Sequence, residues 1–144
     1  MLSFDLQFAR GDFALDAAAQ VGDGVTGVYG PSGSGKTTFL AFLAGLLSPS
    51  RGSVRLDERT LVDTDARRFV PAWDRHVGLV FQDGQLFPHL TVRQNLLFGH
   101  ARIPAAMRRF DLAGVAGLLE ITPLLDRRPT LLSGGERQRV PLGR

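Results

Sequence analysis

Gly30-Pro31-Ser32-Gly33-Ser34-Gly35-Lys36-Thr37, followed by Thr38, decides how the rest of this chain is read. The stretch meets the pattern G-x-x-x-x-G-K-[ST] at every fixed position. Lys36 is the only lysine; the other 16 of the 17 cationic residues are arginine. Arginine presents a broad planar fork, whereas lysine is a compact charge on a slim stem that reaches between the β- and γ-phosphates of a triphosphate. The glycines let the backbone curl so that successive N–H groups face an anion, and the helix expected from Lys36 adds the positive end of its dipole. The Thr37 hydroxyl is placed for Mg2+. A Gly/Ser turn that merely caps a helix is the plainer alternative. The apolar run Val25-Thr26-Gly27-Val28-Tyr29 before the loop and the helical pattern after it favour the phosphate site. The expectation is a bound nucleoside triphosphate with Mg2+, held by Gly30, Pro31, Ser32, Gly33, Ser34, Gly35, Lys36, Thr37 and Thr38.

Bulk properties set bounds around that site. A chain of 144 residues with 44% hydrophobic content is about one domain with a core of its own. Without cysteine it has no disulfide framework and no thiolate metal site. No apolar run approaches the ~18–20 residues that span a bilayer, and Met1-Leu2-Ser3-Phe4-Asp5 does not read as a signal peptide. A cytosolic place is expected by elimination. The isoelectric point near 10.5 invites a nucleic-acid reading. Against it, the net charge is only +3 and the arginines are scattered, so no nucleic-acid partner is expected.

Residues 2–8 alternate apolar and polar and predict a half-exposed strand; 13–21 continue the habit. Val25–Tyr29 is expected as a short buried strand feeding the phosphate loop. A helix is expected from Lys36 to Gly45-Leu46 with Phe39, Leu40, Phe42, Leu43 and Leu46 packed. Residues 53–57 and 60–62 predict a strand pair around Asp57-Glu58-Arg59, and His76 to Phe81, nearly all apolar, predicts a buried parallel strand. Beyond Gln82 helices take over: one capped by Thr91 and running to Phe98, one over 105–120, a short turn at Thr122-Pro123, and a last one from Ser133 to the end. Residues 1–82 are therefore expected to form a strand-rich nucleotide-binding core and 83–144 a helical subdomain.

A second constellation is Leu132-Ser133-Gly134-Gly135-Glu136-Arg137-Gln138-Arg139. Ser133 as N-cap with Glu136 three positions on forms a capping box, and two adjacent glycines leave bare N–H groups at a helix start. An ordinary capped helix accounts for the serine and the glutamate. It does not account for the glycines, which cost about 1 kcal/mol each relative to alanine inside a helix.

Taken with the phosphate loop, this octapeptide resembles the signature motif of the ATP-binding-cassette (ABC) ATPases. The resemblance implies an α/β P-loop NTPase fold with a strand-rich N-terminal core and an inserted helical subdomain. It also implies that ATP is the triphosphate. Gln82, just after Val80-Phe81, matches the family's Q-loop glutamine, expected to contact Mg2+ and the attacking water, so that Lys36 and Gln82 are the catalytic candidates and Thr37 and Gln82 the metal candidates. Ser133, Gly134, Gly135 and Glu136 would contact the γ-phosphate of an ATP held by a second, identical subunit, and integral-membrane permease subunits would dock beside the Q-loop. The segment from Gln82 to Leu96 looks like the importer cassettes. Its Val92-Arg93-Gln94-Asn95-Leu96, with Glu120 to Arg127, is most similar to the cassettes of molybdate importers; relatives serve sulfate, ferric iron, polyamines and maltose. The implied function is coupling of ATP binding and hydrolysis to uptake of molybdate or a similar oxyanion, from the cytoplasmic face of the inner membrane.

The pattern departs from the family in three places. The chain stops at Arg144, before the position of the family's Walker B strand, with its Mg2+-ordering aspartate and catalytic glutamate, and of the switch histidine; neither Pro123-Leu124-Leu125-Asp126 nor His76, His89 or His100 stands in for them. This raises the alternative of a truncated nucleotide-binding fragment that turns over little ATP, with residues 25–29 and 76–81 left as unpaired, apolar strand edges. Pro141, eight residues past Ser133, is expected to disturb the last helix after Arg137. The aromatic that stacks on adenine falls to Phe8 or Phe13.

Overall fold

The computed structural model describes residues 1–144 except Ala101, Arg102, Ala105 and Met107. The chain forms two compact units, Met1–Leu79 and Val80–Arg144.

In the first unit, β1 (Leu2–Arg10) and β2 (Phe13–Val21) form a hairpin paired from Arg10↔Phe13 to Leu2↔Val21. With β3 (Arg51–Leu56), β4 (Arg59–Asp63) and β5 (Arg68–Phe69) they make an antiparallel sheet ordered β2-β1-β3-β4-β5. The alternation expected of residues 2–8 holds: Leu2, Phe4, Leu6 and Phe8 join the apolar cluster while Asp5 and Gln7 are exposed. Between β3 and β4 a register shift leaves Leu61 without an opposite residue, and Leu61 and Val62 are both buried.

The helix α1 (Lys36–Ala44) packs on this sheet through Phe39 and Phe42, whose rings lie 4.8 Å from Phe4 and 5.1 Å from Phe8. Leu40 and Leu46, expected inside, are exposed. At 3.6 residues per turn Leu40 points about 160° away from Phe42, and Leu46 lies past the helix end.

Two expected strands are absent from this unit and its border. Val25–Tyr29 and the run from Val77 to Phe81 carry no strand pairing, and Val25, Val28, Tyr29, Val77 and Val80 are exposed. An apolar run becomes a buried parallel strand only if other strands supply its hydrogen bonds and a layer covers each face. The sheet pairs only β1 to β5 with one another, so these segments lie outside it and are largely exposed.

The second unit holds α2 (Val92–Leu97), α3 (Leu112–Leu118) and α4 (Gly134–Gly143). Single 3-10 turns at Thr122–Leu124 and Pro129–Leu131 link the last two helices. Val92, Leu96, Ala116, Ile121, Leu124, Leu125, Leu132 and Val140 form the core. The helix expected over 105–120 is confined to α3; of that span Ala105 and Met107 lie outside the described residues. Asp111 sets the late start, because its extended backbone (φ −103°, ψ 162°) and its side chain, accepting the Gly114 N–H at 2.7 Å, cap the helix there. Glu120, at φ 54°, sets the end.

Pro141 does not break the last helix, which continues to Gly143. Its ring lies against buried Gly84, where an added Cβ would sit 2.8 Å from Pro141 Cγ. That packing offsets part of the cost of the lost N–H bond.

Candidate functional site

The phosphate loop folds from its own composition. Ser34 N–H donates to Pro31 C=O at 3.2 Å, closing a turn over Ser32-Gly33. Gly35 is the N-cap of α1 at φ 90°, a conformation that costs an L-residue about 1–2 kcal/mol. It also has no room for a side chain: a Cβ would lie 2.7 Å from the Phe13 ring and 3.0 Å from Leu15 Cδ1. Glycine is thus fixed twice at this position, and through it the start of α1 rests on β2.

No side chain caps α1, and its first turn carries no acidic residue. The N–H groups of the first helical residues Lys36, Thr37 and Thr38 have no carbonyl a turn below them to bond, so donors and helix dipole together face outward. The Lys36 ammonium turns back over the loop, donating to Gly30 C=O at 2.9 Å, Pro31 C=O at 2.8 Å and Ser34 Oγ at 3.4 Å. Thr37 is exposed beside it. The structure therefore gathers Gly30 to Thr38 into one exposed loop and helix start with the lysine ammonium over it. Of the two candidate aromatics, Phe8 is engaged with Phe42 in the apolar cluster, whereas Phe13 sits against Gly35 at the base of the loop.

The remaining candidates belong to the second unit. Gln82 is exposed in a turn in which Gly84 N–H donates to Phe81 C=O at 3.0 Å. Ser133 is the N-cap of α4, and the capping box is complete: Ser133 N–H donates to Glu136 Oε2 at 2.7 Å and Glu136 N–H to Ser133 Oγ at 3.4 Å. The bond from Ser133 N–H favours the charged carboxylate and holds its pKa below the ordinary glutamate value. Gly134 and Gly135 are exposed, adopt no left-handed backbone, and would meet nothing within 4 Å if given a Cβ. Neither backbone strain nor crowding within the described residues requires glycine there.

Sequence reasoning missed two buried polar organisers. Asn95 clasps the loop before α2: its Oδ1 accepts the Phe87 N–H at 2.9 Å and its Nδ2 donates to the carbonyls of Phe87, Leu90 and Thr91 at 3.1, 3.3 and 3.0 Å. Arg75 lies wholly buried against the far end of α1. Asn95 entered the sequence reading only as part of Val92-Arg93-Gln94-Asn95-Leu96, where Arg93 and Gln94 are polar too and nothing sets it apart. For Arg75, one arginine among 16, no local pattern signals burial.

A strand-rich unit with an uncapped helix start behind a glycine loop and a single lysine defines a phosphate-loop nucleotide-binding protein. The comparisons place it more narrowly: the family model described as ABC transporter matches residues 20–144, and the chain belongs to that family. It is similar to proteins named Molybdenum import ATP-binding protein ModC. That of Mesorhizobium japonicum is 49% identical over 140 residues, covering 97% of this chain and 38% of the relative. That of Paramagnetospirillum magneticum is 49% identical over 144 residues, covering 100% and 40%. The chain thus spans about two fifths of the length of these relatives. Among solved structures, the bacterial ABC transporter cassette MJ0796, determined as a dimer, matches with a TM-score of 0.69 at 24% identity, covering 99% of this chain and 68% of that one. That likeness supports the ABC ATPase fold. Among the described residues no helix is long and apolar enough to cross a membrane.

Proposed function

We propose that these residues form the nucleotide-binding part of the ATP-binding subunit of an importer for molybdate or a similar oxyanion. The observation that carries the reading is the phosphate loop. The N-terminus of α1 is uncapped, and the one lysine of the chain lies over it, 2.8–2.9 Å from two loop carbonyls. A triphosphate binding at this loop would take the free N–H donors of the first helical turn. The Lys36 ammonium would exchange carbonyl acceptors for β- and γ-phosphate oxygens, gaining charge-assisted bonds. Thr37 and Gln82 would hold Mg2+, which supplies charge neutralisation on the phosphates. Phe13, beside Gly35, offers an aromatic face near the loop.

Gly134 and Gly135 fit the same reading. Glycines that nothing among the described residues requires, at the open start of a capped helix, leave space for another molecule to approach the backbone. We assign that role to the γ-phosphate of an ATP bound by a second copy, so that two cassettes close on each nucleotide and drive membrane permease subunits from the cytoplasmic face. Molybdate as cargo rests on the names of the relatives and their 49% identity across 97–100% of this chain. No general base is assigned within these 144 residues, so the chain by itself is expected to bind ATP with little turnover.

The test is a titration of the purified chain with a fluorescent ATP analogue and Mg2+. Saturable binding that Lys36→Ala removes is the expected result; equal affinity in the variant would refute the site. For the cargo, residues 1–144 grafted in place of the matching segment of a molybdenum-import relative should sustain molybdate uptake, and a graft with intact ATP binding but no uptake would count against it.

A further inference from the structure

Arg75 is a charged residue buried at 0% exposure, and no carboxylate pairs with it among the described residues. Removing a guanidinium from water is costly without compensation, so what surrounds it is informative. Its Nη1 donates to the carbonyls of Phe42 and Leu43 at 2.7 and 3.0 Å, and its Nε to Val70 C=O at 2.7 Å. The Phe69 ring lies 4.9 Å from Cζ, and Nη2 finds no partner. The counter-charge is therefore the negative end of the α1 dipole, presented by Leu43 C=O and by Phe42 C=O, which also accepts the Gly45 N–H at 3.2 Å.

Gly45 completes the fit. It is the C-cap of α1 at φ 79°, and Leu46 N–H closes back on Ala41 C=O at 2.9 Å. A Cβ on Gly45 would fall 2.8 Å from Arg75 Cζ. The helix end and the guanidinium are shaped to each other, and the guanidinium in turn is held by Val70, on the segment following β5.

The other end of this same helix carries Lys36 and the phosphate loop. Nine residues at a rise of about 1.5 Å make α1 a rigid rod of about 13 Å. A tilt of about 5° at the Arg75 end moves the loop end by about 1 Å, enough to misplace donors that must meet phosphate oxygens. We propose that Arg75 is a positioning residue for the nucleotide site: by clamping the C-terminal carbonyls of α1 to the chain at Val70, it fixes where the helix N-terminus presents its donors to a triphosphate. This rests on the nucleotide reading above.

The experiment compares wild type, Arg75→Lys, Arg75→Met and Lys36→Ala of the full chain. Affinity for the fluorescent ATP analogue with Mg2+ is measured at a temperature where circular dichroism shows each folded, and melting is recorded separately. Arg75→Met should weaken binding about tenfold. Arg75→Lys, which keeps the charge but cannot span three carbonyls, should weaken it about threefold, a partial rescue. A purely structural arginine would lower melting temperature and leave the affinity of the folded protein unmoved. Wild-type affinity in folded Arg75→Lys or folded Arg75→Met overturns the proposal, and the lysine variant decides it should the methionine variant not fold. Loss of binding in Lys36→Ala with wild-type affinity in the Arg75 variants strikes this inference alone; wild-type affinity in Lys36→Ala strikes the nucleotide reading and this inference with it.

Discussion

The Lys36 ammonium donates to the Pro31 carbonyl oxygen at 2.8 Å, so the residue that would neutralise phosphate also ties the loop to itself. With Gly30 C=O and Ser34 Oγ as further acceptors, all three ammonium protons have partners. Removing the side chain therefore removes a loop constraint together with a charge.

Lys36→Ala and Lys36→Arg should separate those two contributions. Alanine should abolish measurable binding, since no other lysine exists and no arginine lies within the loop. Arginine keeps the charge, but its planar fork cannot reproduce a compact donor over three oxygens, so binding should fall by at least about tenfold, or about 1.4 kcal/mol. Isothermal titration with MgATP checks this. An arginine variant binding as well as wild type would show that charge alone suffices.

Gly45→Ala should destabilise the chain by about 2 kcal/mol or more. The left-handed backbone at φ 79° costs about 1–2 kcal/mol for alanine, and the new methyl would crowd the Arg75 guanidinium. Urea denaturation of the variant provides the measurement. A loss below about 0.5 kcal/mol would mean that the helix end and Arg75 are not closely fitted.

What the sequence revealed follows from the range over which each signal acts. The loop, the Ser133 capping box, the Thr91 cap, the strands β1 and β2 and the β3–β4 pair were legible because their causes lie within a few residues: a glycine at a positive φ, a hydroxyl facing an N–H, a period of two. Val25–Tyr29 and His76–Phe81 read as strands because their composition is strand-like, but pairing is a property of partners, and composition does not supply them. The late start of α3 turned on one residue, Asp111, whose side chain caps the helix there. Asn95 and Arg75 were not recognised because burial of a polar group is decided by distant carbonyls: Arg75 meets those of residues 32 and 33 positions away.

At the start of α4 the Glu136 carboxylate gives stability a pH signature. Its pKa in the folded chain is below the ordinary value, because Ser133 N–H bonds the charged form. For a depressed carboxylate the contribution is present above the ordinary glutamate pKa and is lost as pH falls through the lower folded value. Wild type should therefore melt above Glu136→Gln near neutrality, and the gap should close as pH falls below the ordinary glutamate value of about 4.3 and through the lower folded one. Melting curves across that range test it. A gap unchanged down to the lowest pH would mean that the capping bond does not depend on the charge.

Asn95→Ala should cost about 2–3 kcal/mol, because it leaves the Phe87 N–H and the carbonyls it served without partners in a buried setting. The loop from Phe87 to Thr91 should lose amide-exchange protection more than α4 does. Uniform loss across both would indicate that Asn95 holds the whole unit rather than this loop.

Pro141 and Gly84 should prove energetically coupled. Proline inside a helix costs ~3 kcal/mol through its missing N–H and its clash with the preceding turn, yet α4 continues past it with the ring seated on Gly84. Pro141→Ala would restore the N–H that Arg137 C=O lacks and relieve the clash. It would also surrender about two ring methylenes of packing, at about 0.8 kcal/mol each. The net expectation is a gain of about 1 kcal/mol in urea denaturation. Gly84→Ala should destabilise the natural chain for two reasons: a backbone at φ 68°, worth about 1–2 kcal/mol, and a Cβ 2.8 Å from Pro141 Cγ. Pro141→Ala removes only the second. In the double variant the penalty at position 84 should shrink by about 0.5–1 kcal/mol, the size usual for residues in contact. Strict additivity in that cycle would mean that the ring and the glycine do not fit one another, and that something other than this packing lets the helix keep its proline.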